Sequence, residues 1–303
     1  MMPTIESKLI LGLAGTTLST DEQRWLATSP PAGVILFARN IESPDQVRTL
    51  LTAAKDAAGD HLWAAIDEEG GRVNRIPWPP FCERPAAASY GQRYRNDANQ
   101  AVTTAYADAK RCGEGLATLG FSHNCAPILD LYHPQADKII GARAYSDDPA
   151  IVSALGRAVM EGLQAGGIEA VGKHFPGHGR ANCDSHLSTP TVALDHATLL
   201  AEARPFADLI SNGLHHVMTA HVHYPQQDRT IASCSHYWLQ QILRQEFSFT
   251  GMIWSDDLSM GGAGDDLAMA ISAANRAGCD RLLVCQPKDC TTLFRGEINL
   301  YES

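Results

Sequence analysis

The sequence predicts one (β/α)8 barrel of the TIM type. Three observations predict it. Eight short apolar runs alternate with longer stretches of helical character. Almost all of these runs close on polar residues, at the end where barrel enzymes carry their active sites. The chain has 303 residues, enough for one large α/β barrel or two average domains. A doubly wound sheet is the alternative, but no glycine-rich dinucleotide fingerprint follows an early strand.

The elements follow in order. The first run is KLILGLAG (8–15), and the second, GVILFARN (33–40), closes on Arg39 and Asn40. Ser43 and Pro44 then read as an N-cap and a first helical residue, so a helix is predicted over 43–58. LWAAID (62–67) runs into Asp67, Glu68 and Glu69. A second helix is predicted over 100–120, followed by FSHNCAPILDL (121–131) with Asp130 near its end. A third spans 148–167 and stops at Gly166-Gly167. AVGKHF (170–175) carries Lys173 and His174. HHVMTAHV (215–222) ends at His221, with His223 beyond, and GMIWSDD (251–257) ends on Ser255, Asp256 and Asp257. CDRLLVC (279–285) is the eighth run, and the eighteen residues after it predict a short or poorly formed last helix. The N-terminal ends of the runs are mostly Gly, Ala and apolar, so solvation alone does not explain polar residues at one end.

Composition narrows the class. With 45% hydrophobic and 19% charged residues, the chain can bury a large core without crosslinks. A net charge of −10 argues against nucleic acid or an anionic membrane as the main partner. Eight cysteines without a CxxC read as reduced thiols of a cytoplasmic protein. The opening MMPTIESKLILGLAG is too short an apolar run for a signal peptide, and no run reaches about 18 apolar residues. There are no repeats or linkers, so a single barrel domain over 1–303 is expected. A monomer without a cofactor is expected as well, although no sequence feature sets the oligomeric state.

Four segments carry candidate chemistry. In WSDDLSM (254–260), Asp256 and Asp257 end a strand, and neighbouring strand residues point to opposite faces, so one of the two is expected to aim into the barrel mouth. A nucleophilic carboxylate needs such a rigid mount; an isolated DD pair equally caps a helix. In KHFPGHGRANCDSHLSTP (173–190), three histidines share a segment broken by two glycines and two prolines. Asp184 stands two residues before His186, close enough to accept its Nδ1–H, orient the ring and favour its charged form. Surface DxH pairs without function share this spacing. In IDEEGGRVNR (66–75), carboxylates and Arg72 and Arg75 flank a Gly-Gly turn, a set that grips vicinal hydroxyls or simply forms internal ion pairs. His215, His216, His221 and His223 raise a metal reading. An HxH metal pair belongs near the first barrel strand, and this one lies on the sixth, so structural or substrate-contacting histidines are expected and no metal.

Together with GVILFARN, APILDL (126–131), IGARAYSDDP (140–149), GKHFPGHG (172–179), DSHLSTP (184–190) and AHVHYP (220–225), these segments resemble glycoside hydrolase family 3. Within it they are most similar to the single-domain bacterial β-N-acetylglucosaminidases, and they span nearly the whole chain in the family's order. The resemblance implies a retaining mechanism with Asp256 as nucleophile, His186 as acid/base on a mobile loop and Asp184 as its partner. It implies that Asp67, Arg75, Arg143, Lys173 and His174 bind an N-acetylglucosamine unit. The implied substrate is a cell-wall muropeptide, N-acetylglucosamine linked to 1,6-anhydro-N-acetylmuramic acid, in peptidoglycan recycling.

The residue types suit that chemistry. Retaining glycosidases usually pair two carboxyls roughly 5–5.5 Å apart. A histidine, with an unperturbed pKa of about 6.5, can both give and take a proton near neutrality. Gly177 and Gly179 are expected to let its loop close. A neutral base also repels an anion less, which makes phosphate a possible acceptor in place of water. Two departures from the family pattern, Ala142 before Arg143 and GGAGDD after Met260, leave barrel closure and the cleft's detail open. The alternatives are a broad exo-β-glycosidase or phosphorylase on the same fold, and a sugar-binding protein without turnover.

Overall fold

The computed structural model describes residues 4–298; the ends of the expected 1–303 domain, including the first three residues of the opening run, lie outside the described residues. Eight parallel strands close into a barrel in sequence order: β1 (Leu9–Gly12), β2 (Gly33–Leu36), β3 (Trp63–Ile66), β4 (His123–Asn124), β5 (Glu169–Phe175), β6 (His216–Thr219), β7 (Met252–Asp257) and β8 (Arg281–Val284). β1 pairs with both β2 and β8, so the barrel is closed, which resolves the doubt raised by the departures.

Alternation along each strand sorts the side chains. Ile10, Ile35, Ala65, Val171, Met218, Trp254 and Leu283 pack together inside the barrel. Leu9, Val34, Ala64, Ala170, Val217, Ile253 and Leu282 face the surrounding helices in a second, larger core. That outer layer includes α1 (Thr20–Thr28), α2 (Pro44–Ala58), α3 (Ala87–Asn96), α4 (Ala98–Leu119), α5 (Pro149–Ala165), α6 (His196–Glu202), α7 (Arg204–Ile210), a π-helical segment (Tyr237–Glu246), α8 (Leu267–Ala277) and α9 (Pro287–Phe294). Ser43 caps α2 through the Gln46 amide with Pro44 at its first position, and Gly166-Gly167 ends α5, as predicted. The last helix is short, at eight residues. None of the described helices is long and apolar enough to cross a membrane.

Three expectations change. The fourth strand is shorter than its apolar run, because Pro127 has no N–H for the ladder; contact with β5 resumes beyond it, where the Leu129 amide donates to Lys173 O (2.6 Å). The barrel floor is not merely Gly, Ala and apolar. His123, His216, Trp63 and Trp254 form a ring cluster there, with Arg281 4.2 Å above the Trp63 ring. Trp254 Nε1 donates to His216 Nδ1 (3.1 Å). A polar barrel floor is thus built from aromatic packing, while the open end carries the ionisable pocket. Third, strict alternation fails at two places. Between Gly172 and Phe175, and between Trp254 and Asp257, the strand runs one residue longer than its neighbour. Such bulges re-aim side chains, and these fall on Lys173-His174 and Ser255-Asp256.

Candidate active site

The pocket opens at the C-terminal ends of the strands and holds about 270 Å³, near the small end of ligand sites at about 300–1,000 Å³. Asp67, Arg75, Arg143, Lys173, His174, His186 and Asp256 all line it. Asp184 does not, and reaches the pocket through His186.

One wall is an ion network. Lys173, 3% exposed, lies between Asp67 (2.5 Å) and Glu69 (2.8 Å). Glu69 also takes Arg143 at two points, Nε to Oε2 and Nη2 to Oε1, each 2.8 Å. Arg75 stands 3.6 Å from Asp67, with its guanidinium 5.6 Å from the Phe37 ring centre. Burial opposes charge on Glu69, yet Arg143 and Lys173 hold its carboxyl well below the usual range. Lys173 is likewise raised, as Asp67 and Glu69 outweigh its burial. Glu68 points away, into the turn. Its carboxylate accepts Asn74 Nδ2 (2.7 Å) and the amides of Arg75 and Ile76 (2.8 and 3.2 Å), and burial pushes its pKa up to about 7.

A second wall centres on Asp130, fully buried. It accepts His174 Nδ1 (2.6 Å) on one oxygen and the His178 amide (2.6 Å) on the other. Asp130 stands out in sequence only as a polar strand end, and Glu69 only as one of three adjacent acids. His178 and Ser185 carry no sequence signal beyond lying in the histidine-rich segment.

The two aspartates of β7 divide. Both line the pocket, contrary to the alternation argument, because of the bulge. Asp257 Oδ1 accepts the amides of Ser259 and Cys285 (both 2.9 Å), tying β7 to β8, and burial raises its pKa. Asp256 accepts only its neighbour's amide (2.8 Å) among the described residues. Burial would raise Asp256, but the charges of His174 and His221 and the Asp257 amide bring it down to about 2.

His186 Nδ1 is 2.7 Å from Asp184 Oδ1, which also accepts the His186 amide (2.9 Å). Partial burial opposes charge on Asp184, but these bonds lower its pKa. Gly177 has a φ of 146°, a conformation other residues rarely adopt. Gly179 serves differently from expectation: a Cβ there would lie 2.0 Å from Leu131 O, so it allows a close approach rather than a bend.

The other histidines have separate tasks. His221 bonds Ser233 Oγ (2.8 Å) and Asp257 O (3.0 Å), His223 bonds Asp228 O (3.2 Å), and His216 belongs to the floor. Among the described residues no three His, Cys, Asp or Glu side chains are grouped as a metal site requires. All eight cysteines are unpaired.

Residues 4–298 match the model of the glycosyl hydrolase family 3 N-terminal domain. A β-hexosaminidase of Pseudomonas aeruginosa is 41% identical over 295 residues, covering 94% of this chain and 84% of that protein. One from Hydrogenovibrio crunogenus is 39% identical over 283 residues, covering 91% and 78%. The crystal structure of NagZ from Neisseria gonorrhoeae in complex with N-trifluoroacetyl-D-glucosamine superposes with a TM-score of 0.90, at 35% identity, covering 98% of this chain and 87% of that one.

Proposed function

Since the chain belongs to glycosyl hydrolase family 3, we propose that this glycoside hydrolase releases terminal β-linked N-acetylglucosamine with retention, from muropeptides ending in 1,6-anhydro-N-acetylmuramic acid. The observation that carries this reading is the pairing of a low-pKa carboxylate, Asp256, with an Asp184-backed histidine on one small pocket.

Asp67, Arg75, Arg143, Lys173 and His174 grip the sugar hydroxyls. The alternating charges of this wall offer both donors and acceptors. Asp256, ionised at neutral pH, attacks the anomeric carbon as His186 gives its Nε2 proton to the leaving oxygen. The glycosidic bond breaks and a glycosyl-aspartate forms. His186, now neutral, takes a proton from water; the water oxygen bonds to the anomeric carbon and Asp256 departs. Two inversions give retention. Asp184 holds Nδ1 engaged, so Nε2 is the nitrogen that exchanges protons. A single barrel with its own acid/base residue and a cytoplasmic place in cell-wall recycling complete the reading.

The test is release of nitrophenol from 4-nitrophenyl N-acetyl-β-glucosaminide beside the matching β-glucoside, with and without a chelator. Preference for the N-acetyl sugar, unchanged by chelator, supports the reading. Equal rates on both sugars favour the broad exo-glycosidase, and binding without release favours the sugar-binding protein. Product analysis on a purified muropeptide then tests the natural aglycone.

A further inference from the structure

Ser185 lies between Asp184 and His186 but faces the opposite way. It is 3% exposed, whereas the His186 side chain is 58% exposed. The Ser185 hydroxyl is 2.9 Å from Nε2 of His178. His178 is 2% exposed, and its ring makes no other hydrogen bond among the described residues. The His178 amide donates to Asp130, whose other oxygen meets the His174 ring. The loop backbone rests on a glycine shelf: Gly262 N donates to Ser185 O (2.8 Å) and Gly261 N to His186 O (3.2 Å).

We propose that His178 and Ser185 form a latch that seats the acid–base loop, and that they are positioning residues for His186. The proposal rests on the reading of His186 as the acid/base. The loop has few other anchors on its outer side, where Leu187 is 81% exposed. Its seated position therefore depends on the glycine shelf, on Thr189 Oγ1 donating to Gly262 O (3.1 Å, part-buried) and on the His178–Ser185 contact, the fully buried side-chain bond among the described residues. Burial lowers the His178 pKa to about 4, with His174 adding to the effect. The ring is then neutral near pH 7, with one N–H and one lone pair, and a hydroxyl can meet either. Asp130 links the latch to His174, so the sugar wall and the loop share one buried support.

A latch for the acid differs from a merely structural bond in one measurable way. A poor leaving group needs its oxygen protonated, and a very good one does not. The full chain is compared with Ser185→Ala, His178→Gln, the double variant and His186→Ala. The substrates are phenyl and 2,4-dinitrophenyl N-acetyl-β-glucosaminide, and the readout is kcat/KM. Ser185→Ala should lower kcat/KM about tenfold on the phenyl glycoside, the equivalent of one buried hydrogen bond, and leave the dinitrophenyl glycoside nearly unchanged. Gln can place a nitrogen near the position of Nε2, so His178→Gln should lose less. The double variant should be no slower than the slower single one. Ser185→Ala removes one loop hydroxyl, so the result does not depend on His178 variants folding.

Equal losses on both substrates, no loss on either, or losses that multiply in the double variant overturn the latch. His186→Ala separates the two readings. If it shows the leaving-group dependence and Ser185→Ala does not, the latch alone fails. If His186→Ala shows none, the acid–base reading fails and the latch with it.

Discussion

Arg143 and Glu69 meet at two points, 2.8 Å each, with both side chains nearly buried. The arginine fork therefore faces a carboxylate of its own chain, and Nη1 is further held by Ile139 O (3.0 Å). Arg143 presents a fixed edge to the pocket rather than a free guanidinium. Glu69→Ala leaves Arg143 and Lys173 short of a partner in a buried site. It should cost about 3–5 kcal/mol of stability, measured by urea unfolding. A loss near zero would show that the network is not a structural element of the wall.

Asp256→Asn should cut kcat by about 10³-fold or more, as for residues that act as a catalytic unit, while calorimetry finds product binding and fold retained. Near-normal turnover would place the nucleophile elsewhere. The low pKa adds a pH statement. With Asp256 at about 2, kcat/KM should show no acid limb near the ordinary carboxylate value of about 4. A limb there would mean that the surrounding histidine charges do not act on Asp256 as described.

Gly262→Ala tests the shelf beneath the loop. A Cβ at Gly262 would lie 2.7 Å from Ser185 O and 3.1 Å from the His221 Cβ. The loop must lift, so kcat should fall while KM changes little, because the sugar wall is made by other elements. A rise in KM alone would mean that the loop contributes to sugar binding instead.

The barrel floor makes stability depend on acid. Burial, with nearby positive charge, pushes His123 down to about 3 and His216 to about 4. Both folded values lie below the unfolded value of about 6.5, so the unfolded chain binds more protons. The contribution is intact above about pH 6.5 and is lost as pH falls towards the folded values, by up to about 1.4 kcal/mol per pH unit for each ring. Glu68 acts in the opposite sense. Its pKa, raised to about 7, gives a contribution that is present below about 4.5 and lost as pH rises through 7. His123→Phe should therefore flatten the decline in melting temperature between pH 6.5 and 4.5. An unchanged slope would remove His123 as its source.

Much of this protein was legible in one dimension. Seven of the eight strands fall within the predicted apolar runs, and β5 begins one residue before its run, at Glu169. Strands buried on both faces leave short continuous apolar stretches that a sequence shows. Ser43-Pro44 and Gly166-Gly167 bound their helices because caps act over three or four residues. The Asp184–His186 contact follows from a spacing of two. Asp67, Lys173, His174 and Asp256 stand out because they lie at strand ends, whereas Arg143 is singled out only through the family resemblance. The alternation rule misjudged Asp257, since a bulge is not visible in a pattern of apolar residues.

The sequence by itself determined the barrel, its open end and the ionisable residues at the strand ends, because apolar runs and the polar residues that close them are local features; Arg143 came only from the family resemblance. Only the tertiary structure decided which of those residues meet. Lys173 joins Asp67 across 106 residues, Arg143 joins Glu69 across 74, and Asp130 joins His178 across 48. The same holds for the rings on the floor, contributed by four different strands. Such contacts are set by strand register, two bulges and barrel closure. These properties arise from packing the whole chain, and no local stretch encodes them.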